Sequence, residues 1–321
     1  MLFYMPSIQT YLRLLAYNPS DRDYDAAHEW LLRVNDIETS EVLKIATSTY
    51  ENQEHIPSVK ELSELVKTNE NDSIHIPELQ KIIGEALAIM KQSRDPMHDQ
   101  THIVRAIRFA HILYKKLIPE NKTLDWGIIV AALSWHDVYR VKNLGFLYNK
   151  NTPLRKVLRK IPWLIDIDIY LVFKKDSIGS ALSFLKESKR RIPKDLRRKI
   201  AIAILGEHSL SGFQESIFPG ISLYKTIVFC ADTLDLISIS RACNGWRSIQ
   251  KKGLMDMRWY NRLLVLNILS GLPRLEQHPS FAIALDLYQI IKQSTYEYVS
   301  RFFPTDAKLL SGLMNQKPIV Q

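Results

Sequence analysis

An all-α fold is what this 321-residue chain predicts. Three observations carry that expectation. Apolar residues recur at the 3–4 spacing of a helix face in segment after segment. Proline and side-chain caps stand where those segments begin. Strand signals are poor throughout, with no internal repeat, glycine-rich phosphate loop or CxxC pair.

In residues 23–49, Ala26, Trp30, Leu31, Val34 and Ile37 follow the helical period. SVKELSELV reads as a short helix capped by Ser58, with Glu61 three residues on, where a capping box places it. Pro77 opens PELQKIIGEALAIMKQS as a first helical residue, and this helix is expected to end near Arg94. The next helix, about 101–116, aligns Ile103, Ala106, Ile107, Ala110 and Leu113 on one face. A third, about 124–135, is apolar nearly throughout and belongs in the core. Residues 138–174 mix basic residues, Pro153, Pro162 and an apolar run, and read as an insertion that caps or flanks a site. Helical character returns at 176–189, again after Pro193, over about 222–243, and at 255–269 and 279–301.

Composition bounds the function classes. Hydrophobic residues at 46 % and charged residues at 24 % are a globular balance, which excludes a disordered chain. Two cysteines, Cys230 and Cys243, make no disulfide framework and fit a reducing compartment. The first residues carry no basic stretch ahead of their apolar ones, so no secretory signal is expected, and a cytoplasmic location is. No apolar, charge-free window reaches the roughly 18 residues of a membrane span. The nearest candidate, residues 161–173, contains Asp166 and Asp168 and reads as a buried segment or membrane-contacting edge. The formal charge of +9 favours anionic partners: nucleotides, phosphorylated metabolites, RNA or acidic lipid.

Three islands stand out as chemistry: HDQTH (His98 to His102) at a helix start, WHD (Trp135 to Asp137) at the end of the most apolar helix, and ADTLD (Ala231 to Asp235) inside another apolar helix. An uncompensated carboxylate in such surroundings is costly, so Asp137 and Asp232 need partners. A divalent cation is the strongest partner and also accounts for the adjacent imidazole. Imidazole with carboxylate suits Mn, Fe, Co, Ni or Zn, whereas Mg prefers an all-oxygen site. Each residue has a plainer reading too: a histidine hydrogen-bonded in the core, an aspartate that only caps a helix, Asp232 paired with an arginine.

The order H…HD…D on these helices resembles the HD-domain superfamily of metal-dependent phosphohydrolases. HDQTHIVRAIRFA is similar to that family's opening segment, where the ligand histidine begins H-x-x-R-V; here that is His102, with Arg105 and with Ala106 in place of valine. AALSWHDVYR resembles the H-D segment, giving His136 and Asp137, with V-Y-R where small residues are often found. AIAILGEHS resembles a His–Ser segment of one bacterial subgroup, and CADTLDLISI the D-A-D-x-L-D segment, with Cys230 in the first aspartate's place, Asp232 as last ligand and Asp235 as the helix-buried second aspartate. The likeness covers about 95–245. It implies an HD-domain helical core with additional helical segments at both ends: an N-terminal helical region (1–94), an HD-type metal-binding domain (95–245) and a C-terminal helical region packed on the core (246–321).

On that resemblance His102, His136, Asp137 and Asp232 hold a divalent ion that acidifies water and polarises a phosphoryl oxygen. Asp137 can bridge two ions in such sites. Binuclear relatives add histidines before the last aspartate, and only His208 stands in that interval, so one ion is expected. His98, His208 and Arg105 are the further catalytic candidates, as phosphate contacts or proton donors, with Arg105 alternatively pairing a carboxylate. Asp99 is expected to orient His102 or His98, and Lys174, Lys175 and Asp176 to line the mouth. The remaining histidines, His28, His55, His75, His111 and His278, carry no motif. The expected substrate is a small nucleotide or phosphorylated metabolite. The alternative is a non-catalytic nucleotide- or partner-binding protein with a structural metal. Basic stretches 154–160 and 188–199 read as solvated faces; nucleic-acid capture, with Tyr139, Tyr148, Trp163 and Tyr170 as stacking surfaces, is the other reading.

Overall fold

The computed structural model describes residues 58–64, 72–93, 95, 98–117, 124–144, 176–206, 220–241, 275–276 and 281–302. The expected helices at 23–49 and 255–269, and the expected insertion beyond residue 144, lie outside them. Among the described residues every regular element is a helix, and none is long and apolar enough to cross a membrane.

The helices are α1 (Val59–Glu64), α2 (Pro77–Lys91), α3 (Gln100–Leu117), α4 (Trp126–Trp135), α5 (Val138–Leu144), α6 (176–187), α7 (Lys194–Leu205), α8 (Ile221–Ile237) and α9 (Leu285–Phe302), with 3-10 turns at Ser73–His75 and Phe281–Ala284. Two compact units result: residues 50–232, and residues 1–49 with 233–321.

The first unit is built around α4. All ten of its residues are buried, and α2, α3 and α7 pack on it. α2 contributes Leu79, Ile82, Ile83, Ala86 and Met90, and α7 contributes Ile200, Ala203 and Ile204. Each of the leucine, isoleucine and methionine side chains among these stabilises the fold by about 1.5–3 kcal/mol. Two tryptophans bracket α4, and neither leaves its indole N–H unpaired: Trp126 Nε1 donates to Leu62 O at 3.0 Å and Trp135 Nε1 to Ile82 O at 3.1 Å.

Helix starts follow the chemistry of orphan N–H groups. Ser58 and Glu61 make the expected capping box: Glu61 N donates to Ser58 Oγ at 3.2 Å and Ser58 N to Glu61 Oε2 at 2.6 Å. Pro77 is the first residue of α2, which ends at Lys91, three residues short of the expected Arg94; there the Gln92 and Ser93 N–H groups close tighter bonds onto Ile89 and Met90 carbonyls. α4 is held by two carboxylates. Asp72 accepts from Trp126 N (2.8 Å) and Gly127 N (3.0 Å), and Asp125 accepts from Ile128 N (3.4 Å) and the Ser73 hydroxyl (2.6 Å). Gly127 lets the Ser73–His75 turn come this close, since a Cβ there would overlap Ser73 Oγ and the Ile74 backbone nitrogen.

In the second unit Leu287, Tyr288 and Ile291 bury one face of α9. Glu276 takes the Tyr288 hydroxyl and Lys292 Nζ, and Thr295 Oγ1 donates to Ile237 O at 2.7 Å. Asp235 is fully buried and pairs with Arg241 at 3.4 Å.

Candidate metal centre

Three elements of the first unit bring four side chains together. α3 carries His102 in its first turn, the α4–α5 junction carries His136 and Asp137, and α8 carries Asp232. Their register is set at the far end. The Asp125 N–H, just before α4, donates to the Tyr224 hydroxyl of α8 at 2.9 Å. From that tie both helices run on toward their ligands, about 12 Å to Asp232 and about 16 Å to His136 at 1.5 Å per residue.

His102, His136 and Asp232 form a three-donor cluster whose ligand atoms all lie within 4.8 Å of one another. The two imidazole Nε2 atoms are 3.2 Å apart. Asp232 Oδ1 lies 3.3 Å from His102 Nε2 and 3.4 Å from His136 Nε2. Asp137 Oδ2 lies 3.3 and 3.2 Å from the same nitrogens. The His102 side chain is fully buried, while 39 % of the Asp232 side chain is exposed, so the cluster opens on one side.

The donor set fits a divalent ion. Donor–donor edges of 3.2–3.4 Å correspond to ligands about 2.0 Å from a shared tetrahedral centre, or about 2.3 Å from an octahedral one. Two imidazoles among the donors favour a transition metal over Mg or Ca. His136 Nδ1 donates to Leu133 O at 2.6 Å, which fixes the ring and turns Nε2 toward the cluster. Asp137 Oδ2 is buried with the His102 and His136 ring nitrogens as its polar neighbours, an arrangement that a cation held among them would satisfy.

The electrostatics agree. Burial pushes the His136 imidazole down, but the Asp137 and Asp232 carboxylates outweigh it and hold its pKa well above the usual value. Burial pushes the Asp137 carboxyl up, yet His136, His98 and His102 hold it well below the carboxylate range. The same opposition holds Asp232 low, through His136 and His102.

The other expected site residues fall out differently. His98 is buried; its Nδ1 lies 2.7 Å from Asp95 Oδ2, and its ring meets His102 edge-on at 5.7 Å. Arg140 NH1 sits against that ring, 2.6 and 2.7 Å from its two nitrogens. Arg105 NH1 donates to Thr101 Oγ1 at 3.2 Å. Asp99 does not reach an imidazole nitrogen: its Oδ1 caps α3, accepting from Thr101 N, Thr101 Oγ1 and His102 N, because an aspartate ahead of a helix finds orphan N–H groups nearer than a ring. Asp176 is buried under Arg140 Nε at 2.7 Å rather than lining a mouth. Burial pushes its carboxyl up to about 7, with Arg140 opposing. His208, Lys174 and Lys175 lie outside the described residues. His111, without a motif, is buried against the Trp126 ring at 5.9 Å. In the basic stretch 188–199, Arg191 bridges to Glu85 at 2.8 and 2.9 Å and to Glu78 at 3.6 Å, while Lys189, Arg190, Lys194 and Arg198 are exposed.

Residue-by-residue reading missed Asp95, Arg140 and Ser180. Arg140 had a signal, an arginine one turn past a buried aspartate, and Asp95 had one too, an aspartate three residues ahead of His98; Ser180 had none, because its partner Tyr139 is 41 positions away. No protein-family model, curated protein or solved structure matches the chain.

Proposed function

We propose that this chain is a metal-dependent phosphohydrolase of the HD-domain kind, acting on a phosphate ester of a small nucleotide or phosphorylated metabolite. The observation that carries the reading is the convergence of H…HD…D. The His102 and His136 Nε2 atoms lie 3.2–3.4 Å from each other and from the Asp137 and Asp232 carboxylate oxygens, and Asp137 Oδ2 is buried. In this proposal those four residues are the ligands of one divalent ion, with Mn, Fe, Co, Ni or Zn ahead of Mg. The HD-type domain spans about 95–245, flanked by helical regions at 1–94 and 246–321.

When bound, the ion supplies charge that polarises a phosphoryl oxygen and lowers the pKa of water. The chain's residues do the rest. Leu133 O holds the His136 ring so that its Nε2 faces the centre. The buried wall at His102 excludes water, and the exposed flank at Asp232 admits the substrate. Arg105 supports α3 one turn beyond His102. In this proposal His208 contacts the phosphate or donates a proton to the leaving group. His98, enclosed by Asp95 and Arg140, supports the wall behind His102. The overall charge of +9 favours anionic substrates.

The test is metal analysis of the purified protein followed by turnover of a nitrophenyl phosphate ester and a nucleotide panel with Mn, Co or Ni. Activity abolished by His136→Ala and by Asp137→Ala is the expected result. Folded, metal-loaded protein that turns over no phosphate ester overturns the enzymatic reading and leaves the non-catalytic binding protein with a structural ion.

A further inference from the structure

Asp137 stands immediately before α5, the N-cap position. An aspartate there ordinarily accepts from the second or third helical N–H. In this chain another helix takes both donors. Tyr139 N donates to Ser180 Oγ at 3.1 Å, and Arg140 N to Asp176 Oδ1 at 3.1 Å, the latter shared with the Asp137 main-chain carbonyl. Both acceptors are buried, Ser180 completely. Asp176 is committed on its other oxygen as well, which accepts from Arg140 Nε at 2.7 Å. The third participant is Gly179: a Cβ there would overlap the Tyr139 ring, so α6 reaches the first turn of α5 only without a side chain at that position. Residues 176, 179 and 180 share one helical face by their i, i+3, i+4 spacing.

The carboxylate that would otherwise cap α5 receives neither of these N–H groups. Asp137 Oδ2 is buried and lies 3.3 and 3.2 Å from the His102 and His136 nitrogens. We infer that α6 caps α5 in place of Asp137 and so releases the Asp137 carboxylate to the metal centre. Asp176, Gly179 and Ser180 are then positioning residues. The capping half stands on the hydrogen bonds alone; the release to an ion rests on the metal-centre reading above.

The physical logic is a competition for one carboxylate. Removing the α6 acceptors orphans the Tyr139 N–H and leaves the Arg140 N–H only the Asp137 main-chain carbonyl, and the Asp137 carboxylate is the acceptor placed to recapture them. A carboxylate turned onto its own helix start is drawn away from the cluster. Outer-shell changes of this kind weaken metal binding by about 10–100-fold.

Two measurements test this. The first uses protein in chelator and follows amide hydrogen exchange of Tyr139 and Arg140, referenced to Val141. Asp137→Ala should leave both rates within about twofold of wild type, because α6 provides the acceptors. Faster exchange at both amides in Asp137→Ala would show that Asp137 is the cap and overturn the inference. The second is calorimetric titration with manganese chloride. The double variant Asp176→Ala/Ser180→Ala should bind about 10–100-fold more weakly than wild type, Ser180→Ala should fall between, and Ser180→Thr should restore affinity. Ser188→Ala serves as control, since that buried serine, just past the end of α6, donates its hydroxyl to Phe184 O. A folded double variant that binds like wild type overturns the release of Asp137. If the double variant does not fold, Ser180→Ala against Ser180→Thr decides: equal affinities overturn it. If wild-type protein takes up no divalent ion, the metal-centre reading fails and the release with it, while the exchange measurement still decides the capping.

Discussion

Metal uptake should expel a proton from His136. Without an ion its Nε2 faces two carboxylates, 3.2 Å from Asp137 Oδ2 and 3.4 Å from Asp232 Oδ1, while Nδ1 is spent on Leu133 O. Burial opposes the charged ring, but the two carboxylates win and hold its pKa well above 6.5. At pH 7 the ring therefore carries its second proton, which any ion binding through Nε2 displaces. One displaced proton makes the binding constant rise with pH by up to about tenfold per unit, or about 1.4 kcal/mol, over the range in which the metal-free ring is protonated. Calorimetry in two buffers of different ionisation enthalpy reads the stoichiometry directly as the dependence of observed heat on buffer. A slope near one proton is expected. Zero protons released, together with affinity flat from pH 6 to 8, would refute the electrostatic account of the cluster.

The same shifts set the stability of the metal-free protein. A raised imidazole contributes stability that is full below the unfolded pKa and is lost as pH rises through the folded value. The depressed carboxyls of Asp137 and Asp232 contribute stability present above their unfolded pKa of about 3.8 and lost as pH falls through the folded values. Stability without metal should thus be greatest in the mildly acidic range and decline on the alkaline side. Saturating metal should remove that decline.

Two further outcomes concern the cap on α4. Gly127→Ala should destabilise the protein by about 2–3 kcal/mol in urea melts, because the new methyl meets backbone atoms that have no rotamer to escape into; a wild-type midpoint would contradict the close approach of the Ser73–His75 turn. Burial and the neighbouring Asp72 raise Asp125 from 3.8 to about 7, so its contribution is present at low pH and lost as pH rises through about 7. Asp125→Asn should flatten the loss of stability between pH 5 and 8 by about 2 kcal/mol relative to wild type, and parallel profiles would show that Asp125 does not titrate there.

Local chemistry was readable from residues alone. The Ser58–Glu61 box, Pro77 at the head of α2 and the apolar body of α4 each follow from a few neighbouring side chains, and α3 lies within one residue of its expected bounds, while α8 starts as expected and ends at Ile237, six residues short of 243. The burial of α4 also made Asp137 conspicuous, since a carboxylate closing such a helix needs a partner. What escaped was through-space pairing. Asp99 looked like an orienting partner for imidazole, yet the α3 N–H groups were closer. Asp176 was expected at the mouth with Lys174 and Lys175, but Arg140, 36 positions earlier, draws it inside. Ser180 and Gly179 are unremarkable letters until α5 is laid against them. Meetings between segments distant in the chain are set by packing, which no local pattern encodes.

The paired carboxylates at the head of α4 also bear on where this chain can be cut. The N–H groups that open α4 are satisfied partly from residue 72, and the Trp126 indole from residue 62, both ahead of the stretch that resembles a metal-binding domain. A fragment begun at residue 95 would strip α4 of Asp72, of the α2 face packed on it and of the acceptor for Trp126. The helix that ends in His136 and Asp137 would then start with frayed, unpartnered amides. The smallest piece able to keep the ligands in register therefore begins no later than the capping box at Ser58.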